Sequence, residues 1–559
     1  MRVAIAQIDT TVGAFEKNLD QIRRAAAEAA RAGAELVLFP EQTLPGYPAR
    51  DFLELPEFVA RNVAALETLK AESGDAALCV GWASPHGGVG AGLYNAVSLL
   101  RNGRILATAH KLLLPNYDVF DEARYFDPGD RVTVVQVGGV TIGLTICEDI
   151  WNDKQFWPRR RYERDPVEEA VARGAQLVVN VSASPYAVGK PRLRERMLGA
   201  AASRHGVPIV FCNLVGGNDS LVFDGQSLAI GADGAVLARG PAFEERVLVV
   251  DVEPTVRPSP GMPGRPHVPA TAAAVRASDE DLDELFAALV TGVRDYATKV
   301  GFRGAVLGLS GGIDSALTAV IAARALGPEA VLGVAMPSRY TAELSNDDAA
   351  ALARNLGMPY HVIPIERMFD AALETLAPAF AGRPPAVTEE NLQARTRGLI
   401  LMGLSNKLGK LLLTTGNKSE LGVGYCTLYG DMAGGLAVIG DLPKTLVWEL
   451  SRHVNRSGEV IPWRTIERPP TAELRSNQTD QDSLPPYEVL DRILHAHVVE
   501  RLPVEAIVAR GEDEATVRRV LSLVLKSEYK RRQAAPTLRV TARAFGEGWR
   551  FPIAHGFRY

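Results

Sequence analysis

A chain of 559 residues, 47% hydrophobic and 23% charged, is too long for one ordinary domain and carries enough apolar material for two or more cores. Its net charge of -5 excludes a nucleic-acid binder that relies on a general basic field, and no apolar run approaches membrane-spanning length. Four cysteines, Cys79, Cys147, Cys212 and Cys426, lie far apart without zinc-site or disulfide-framework spacing, and no signal-type segment precedes Arg2, so a reducing, cytoplasmic chain is expected.

In chain order, Arg2 to Ala6 predicts a strand, Asn18 to Ala32 an alanine-rich helix, and Glu35 to Phe39 a second buried strand ending at Pro40-Glu41. The unit recurs. Arg31-Ala-Gly-Ala-Glu-Leu-Val-Leu38 resembles Ala172-Arg-Gly-Ala-Gln-Leu-Val-Val179, and Val3 to Asp9 resembles Gly143 to Asp149. In this register Cys147 corresponds to Gln7 and Glu41 to Ser182, so one site is expected in two similar halves. From Glu253 prolines interrupt any regular element, which predicts domains over 1–252 and 279–559 joined by a linker over 253–278.

Beyond that boundary Ser278 to Val300 predicts a helix and Ala305 to Leu309 a buried strand. The strand stops at Ser310-Gly311-Gly312, and Ile313 to Ala325 restarts as a helix. Two glycines allow a sharp turn that aims N–H groups at an anion, and the helix start adds partial positive charge. Ser310 and Ser315 add hydroxyls, and Asp314 can hold a Mg²⁺ on phosphate oxygens. The Gly-Lys-Ser/Thr ending of a Walker A loop is absent, which favours pyrophosphate over γ-phosphoryl transfer. Strands at Ala330 to Met336, Tyr360 to Ile365 and Lys410 to Thr415 alternate with helices at Ala342 to Leu356 and Asn391 to Leu408, implying a doubly wound parallel sheet. Ser310, Pro337 and Thr415 all fall at its carboxyl edge, where such sheets bind ligands. Ala515 to Gln533 predicts a basic-ended helix, and Thr541 to Tyr559 matches no regular element.

In the first half Glu41, Lys111 and Cys147 each follow an apolar strand. A thiol attacks as thiolate, so Cys147 needs a base or a cation; Glu148 and Asp149 beside it work against ionisation, and Glu41 and Lys111 are the candidate partners. Phe39-Pro-Glu41, His110-Lys-Leu-Leu-Leu-Pro115 and Thr145-Ile-Cys-Glu-Asp149 resemble the signature of the nitrilase (carbon–nitrogen hydrolase) superfamily over about Met1 to Val252. The resemblance implies an α-β-β-α sandwich in which Cys147 attacks an amide carbon, Glu41 moves the proton and Lys111 stabilises the oxyanion. It also implies a supporting role for Glu122, and glutamine contacts at Tyr117, Glu148, Ser184 and Lys190.

Ser310-Gly-Gly-Ile-Asp-Ser315 matches the N-type ATP pyrophosphatase motif, shared by synthetases for NAD⁺, GMP, asparagine and argininosuccinate and by tRNA-modifying enzymes. The loop alone does not choose among them. Glu390-Asn-Leu-Gln-Ala-Arg-Thr-Arg397, Leu413-Thr-Thr-Gly-Asn-Lys-Ser-Glu420, Tyr429-Gly-Asp431, Leu442-Pro-Lys444 and Ser527-Glu-Tyr-Lys-Arg-Arg532 together resemble the NAD⁺ synthetase family over about Leu282 to Lys530. That resemblance implies ATP at Gly308, Leu309, Ser310, Gly311, Gly312, Ile313, Asp314, Ser315, Thr415 and Lys444. It implies deamido-NAD⁺ at Asn391, Arg395, Glu420 and Lys526, and Mg²⁺ at Asp314 and Glu420.

A nitrilase-type amidase before such a synthetase resembles the glutamine-using branch of that family, which implies ammonia drawn from glutamine, an enclosed route for it and a homo-oligomer, with no nucleic-acid or membrane partner. A synthetase acting on another adenylylated carboxylate remains an alternative at this stage. So does a nucleotide-binding sensor, although Cys147, Glu41 and the Asp314 loop are all intact.

Overall fold

In the computed structural model the N-terminal apolar run is a strand buried along five of its six residues. The structure describes residues 1–256, 278–476 and 478–559, so most of the expected 253–278 linker lies outside the described residues. The described residues divide into two units, 1–218 with 222–256 and 219–221 with 278–559. Among them no helix is long and apolar enough to cross a membrane.

The first unit begins with β1 (Arg2–Gln7), α1 (Phe15–Arg31), β2 (Leu36–Leu38), α2 (Pro56–Glu72), β3 (Ala77–Pro85), β4 (Leu93–Arg101) and β5 (Arg104–His110). It continues through β6 (Thr133–Val137), β7 (Val140–Ile146), α3 (Pro166–Ala172), β8 (Leu177–Ser182), α4 (Lys190–His205) and β9 (Ile209–Asn213). A hairpin of β10 (Val215–Asn218) and β11 (Leu221–Asp224), then β12 (Leu228–Ile230), β13 (Val236–Arg239) and β14 (Arg246–Asp251), complete the set.

Two six-stranded sheets result, ordered β14-β1-β2-β3-β4-β5 and β6-β7-β8-β9-β12-β13. Read in those directions, both run antiparallel, parallel, parallel, antiparallel, antiparallel. The sequence repeat is therefore a structural one, with β1 equivalent to β7 and β2 to β8. Because side chains alternate along a strand, each sheet has two apolar faces to bury. Val3, Ile5, Leu36 and Leu38 meet Ile142, Leu144, Ile146 and Leu177 between the sheets. Val37 and Val80 pack under Phe15, Ile22 and Leu66 of α1 and α2, and Val178 and Ile209 under Ala170, Met197 and Leu198 of α3 and α4. Each such side chain contributes roughly 1.5–3 kcal/mol on burial, and the outcome is the expected α-β-β-α sandwich.

The second unit opens with α5 (Asp279–Lys299), capped by the Ser278 hydroxyl, which accepts from the Asp281 N–H at 3.2 Å. β15 (Ala305–Gly308), α6 (Ile313–Leu326), β16 (Val331–Ala335), α7 (Glu343–Leu356), β17 (Tyr360–Val362), α8 (Glu366–Phe380), α9 (Val387–Leu408), β18 (Leu411–Thr414), α10 (Lys418–Val423) and β19 (Leu436–Ala437) follow. The sheet is ordered β17-β16-β15-β18-β19 and is parallel throughout, the doubly wound arrangement expected. Its strand order reverses between β15 and β18, and ligands of such sheets bind at that switch point.

Helices α11 (Lys444–Val454), α12 (Trp463–Glu467), α13 (Tyr487–Leu494), α14 (Val504–Val508), α15 (Glu514–Lys526) and α16 (Glu528–Arg531) complete the chain. The single helix predicted over Ala515 to Gln533 is in fact two, α15 and α16, broken at Ser527. The Arg531 guanidinium takes the Val524 carbonyl at 2.5 Å and the Glu528 carboxylate at 2.9 Å, competing with the next helical turn for that carbonyl. The helix expected from Asn391 starts earlier, at Val387. The C-terminal stretch has no regular element but buries Phe545 and Trp549 in the core of α13 and α15, with the Trp549 indole donating to Glu528 at 3.0 Å.

Candidate active sites

Each side chain of the first centre is delivered by a strand end. Glu41 leaves β2 in a turn that crowds β3: a Cβ at Gly81 would lie 2.4 Å from the Gln42 nitrogen, so only glycine fits there. Lys111 follows β5, its N–H donating to the Asn95 carbonyl of β4 at 2.8 Å. Cys147 follows β7 with φ of +41°, a left-handed conformation uncommon for a side-chain-bearing residue and frequent at functional turns. Asp149 holds that turn. Its carboxylate accepts from the N–H groups of Ile146 at 3.0 Å, Leu112 at 3.0 Å and Leu113 at 2.9 Å, tying the cysteine turn to the lysine segment.

Lys111 donates to Glu41 at 2.8 Å and to the two carboxyl oxygens of Glu122 at 2.8 and 2.7 Å, all three side chains being buried. The Ala183 N–H reaches Glu41 at 2.9 Å, and the Tyr47 hydroxyl reaches Glu122 at 3.1 Å. Burial pushes the Glu122 carboxyl up to about 7 against the pull of Lys111. Burial lowers the Lys111 ammonium, but Glu122 and Glu41 outweigh it and hold the group well above its ordinary value. Burial and then Glu41 push the Cys147 thiol well above its usual range, with Lys111 opposing. The resting group is therefore a thiol, suited to activation by a base in the act of attack.

Beside this cluster the Tyr117 hydroxyl donates to Glu148 at 2.9 Å and the Tyr162 hydroxyl at 3.2 Å, while the Arg161 guanidinium lies 3.8 Å over the Tyr117 ring. Burial raises the Glu148 carboxyl, and Lys111, the two tyrosines and Lys190 pull it back. Lys190 donates to the Pro185 carbonyl at 2.8 Å. Ser184 is held through its backbone, its N–H donating to Asn213 at 2.9 Å and its carbonyl accepting from the same amide at 3.3 Å.

In the second unit the stretch after β15 closes on itself. Gly311 has φ of +76°, and a Cβ there would lie 2.2 Å from the Ser345 carbonyl oxygen. The Ser315 hydroxyl donates to the Gly312 carbonyl at 2.9 Å, lies 3.2 Å from the Ser310 hydroxyl, and accepts from the Ser310 N–H at 3.3 Å. Gly308 and Leu309 lead into this loop, and Ile313 begins α6 buried. Asp314, in the first turn of α6, accepts from the Asn417 amide at 3.0 Å across the switch point and ion-pairs with Lys444. Lys444 also lies 3.7 Å from Glu420.

Burial and Asp314 push the Glu420 carboxyl up to about 8. Asp480 adds to this field while accepting from the hydroxyls of Tyr487 at 2.8 Å and Tyr425 at 3.3 Å. Among the described residues no group of three or more His, Cys, Asp or Glu forms a metal cage. Two carboxylates sharing one ammonium nevertheless suit a Mg²⁺ held by one or two side chains and completed by phosphate oxygens.

Glu420 and Asp431 line one small cleft with Thr414, Gly416, Cys426 and Ala535; Thr415 sits between Thr414 and Gly416. The Asn391 side chain accepts from the Thr427 hydroxyl at 2.8 Å, and Arg395 donates to the Leu428 carbonyl at 3.2 Å. Lys526 is not brought to this group. It ends α15 exposed, whereas Lys530 turns in to the carbonyls of Gly424 and Cys426 at 2.7 Å each.

A family model described as carbon-nitrogen hydrolase matches residues 2–260, and one described as NAD synthase matches residues 285–534. The glutamine-dependent NAD(+) synthetase of Synechocystis sp. is 46% identical over 99% of each chain. The chain belongs to the glutamine-dependent NAD(+) synthetase family. The family member of Thermotoga maritima is 45% identical over 100% of this chain and 99% of its own. The solved glutamine-dependent NAD+ synthetase of Acinetobacter baumannii, in complex with ADP, matches with a TM-score of 0.75 at 39% identity, over 99% of this chain and 98% of that one.

Four further residues of this synthetase stand at the two centres without having been singled out from sequence: Asn95, Tyr162, Asn417 and Asp480. For Asn95 a signal existed, one amide inside the apolar run Leu93 to Leu100. Tyr162, Asn417 and Asp480 lie in polar loops, where their types are ordinary.

Proposed function

We propose that the chain makes NAD⁺ from deamido-NAD⁺, ATP and glutamine, releasing AMP, pyrophosphate and glutamate, as the last step of NAD⁺ biosynthesis. The observation that carries this reading is that one chain of this family holds both a buried Glu41–Lys111–Glu122 cluster beside Cys147 and a glycine loop with Asp314 at a parallel-sheet switch point.

At the first centre the Cys147 sulfur attacks the glutamine amide carbon as its proton passes to Glu41. The oxyanion forms beside the Lys111 ammonium, and Glu41 returns the proton to nitrogen, so ammonia leaves and a thioester remains. Water, deprotonated by Glu41, then cleaves the thioester to glutamate and regenerates the thiol. The high Cys147 thiol supports this order, since the proton must be removed during attack. Glu122 holds Lys111. Tyr117, Glu148, Ser184 and Lys190 receive the amino-acid end of glutamine, with Glu148 suited to its ammonium group.

At the second centre a carboxylate oxygen of deamido-NAD⁺ attacks the α-phosphorus of ATP, and pyrophosphate departs into the N–H groups of the Ser310 to Ser315 loop. Thr415 and Lys444 bind ATP, and Asn391, Arg395 and Glu420 face the dinucleotide. Asp314 and Glu420 would hold Mg²⁺, which when bound screens charge on the phosphate oxygens. Ammonia then attacks the acyl-adenylate carbon and AMP leaves.

The enzyme works as a cytoplasmic homo-oligomer. Four free cysteines support a reducing compartment, and Leu399, Met402 and Leu408, exposed along α9, support a partner surface. The test is mass analysis of products from glutamine, ATP, Mg²⁺ and deamido-NAD⁺: NAD⁺, AMP, pyrophosphate and glutamate are expected. ADP with phosphate in place of AMP, or an unamidated dinucleotide, would overturn the reading.

A further inference from the structure

Asn95 lies in β4, fully buried, between the strands that deliver Glu41 and Lys111. Its amide nitrogen is 2.7 Å from Glu41 and 3.3 Å from Glu122, and its main-chain carbonyl accepts from the Lys111 N–H at 2.8 Å. One residue therefore touches all three members of the charged cluster. The amide has two N–H bonds on one nitrogen, one for each carboxyl group. The opposite amide orientation would set its oxygen against carboxylate oxygens, so the surroundings dictate which way the side chain faces. The amide oxygen has no hydrogen-bond partner among the described residues. A buried, unpaired acceptor is unfavourable, and an apolar residue of similar size would avoid it.

Resting on the reading of the first centre given above, we propose that Asn95 is a positioning residue for glutamine hydrolysis: its amide fixes the separation and orientation of Glu41 and Glu122, keeping Glu41 available for the Cys147 proton. A neutral donor is what the cluster requires. Lys111 already supplies the positive charge, and a third carboxylate in place of the amide would repel Glu41 and Glu122, whereas the amide donates to both. The groups facing Glu122 are Lys111 from the end of β5, Glu41 from the end of β2, Tyr47, and Cys147 from the end of β7. The Asn95 hydrogen bond is one of the influences that favour the ionised form of Glu122.

The test uses the full chain carrying Asn95→Ala or Asn95→Asp, with glutamate release followed across pH and ammonia-supported NAD⁺ synthesis measured in the same preparation. A fall of ~10–100-fold in kcat for glutamine hydrolysis, with KM changed by less than about 2-fold, is expected. The acid limb of kcat/KM should move to higher pH in both variants, further in Asn95→Asp, where a third carboxyl group joins the cluster. Unchanged ammonia-supported synthesis reports a folded chain. Wild-type kcat in Asn95→Ala, or a lower kcat with an unmoved acid limb, overturns the proposal. Cys147→Ala, run alongside, separates the failures: if it still hydrolyses glutamine, the reading of the centre fails, and if it does not, only the role of Asn95 is at stake.

Discussion

Lys111 donates to both carboxyl oxygens of Glu122, at 2.8 and 2.7 Å, as well as to Glu41 at 2.8 Å. The lysine is thus engaged by carboxylates on two sides, and its charge reaches Cys147 only as a weaker influence than burial and Glu41. A preformed thiolate is not what this arrangement favours. It holds a thiol next to a base, and a cation next to where an oxyanion would form.

Cys147→Ala is expected to abolish NAD⁺ synthesis from glutamine while leaving synthesis from ammonium salts near the wild-type rate. Parallel assays with the two nitrogen donors check this, and loss of both activities in a folded variant would argue against two separate centres.

Lys111→Met removes one partner of a buried network and leaves Glu41 and Glu122 facing each other. Breaking a buried ion pair in this way costs ~3–5 kcal/mol, so the variant should lose glutamine hydrolysis and also melt earlier. Glu122→Gln keeps a polar group of the same size; its hydrolysis should fall ~10–100-fold with a smaller change in melting.

The raised Glu122 carboxyl gives a stability signature. Its folded value of about 7 lies above the usual carboxylate range, so the stabilising proton is fully in place below about pH 4.5 and is lost as pH rises through about 7. Relative to wild type, Glu122→Gln should gain stability between those limits. Denaturant titrations of both proteins at several pH values provide the measurement, and a constant difference would contradict the assignment.

Gly311→Ala places a Cβ 2.2 Å from the Ser345 carbonyl oxygen in a left-handed backbone. The strain, ~1–2 kcal/mol from the backbone alone, should displace the loop and lower AMP formation at least ~10-fold with either nitrogen donor. Glutamine hydrolysis should survive.

Chelation of divalent cations should stop AMP and pyrophosphate formation and leave glutamine hydrolysis running, because the cation proposed to meet the oxyanion at the first centre is the Lys111 ammonium. With Asp314→Asn the Mg²⁺ concentration needed for half-maximal synthesis should rise. An Mg²⁺ requirement identical to wild type would remove Asp314 from the metal site.

Much was legible in local order. Glu41, Lys111 and Cys147 each follow an apolar run, and the structure puts each at the end of a strand. The spacing of Ser310, Gly311, Gly312, Asp314 and Ser315 is a local property too, since the loop bonds to itself within five residues. The repeat of Val3–Asp9 in Gly143–Asp149 predicted two like sheets because strand alternation and burial are written along the chain. What could not be read was which side chains meet. Asn95 reaches Glu41 and Glu122 because the sheet order β2-β3-β4-β5 sets β4 between the strand that precedes Glu41 and the strand that precedes Lys111, the shared partner of both glutamates. Lys444 reaches Asp314 across 130 positions, and Ser527 breaks a helix whose sequence favours continuing, because Arg531 takes a carbonyl from it. Periodicity and motif are short-range consequences of backbone geometry, so the sequence by itself determined the two layered folds and the candidate chemical groups. Hydrogen bonds and charge act through space between strands distant in the chain, so only the tertiary structure decided that Cys147 rests as a thiol, that Lys111 belongs to two glutamates, and that Asn95 joins them.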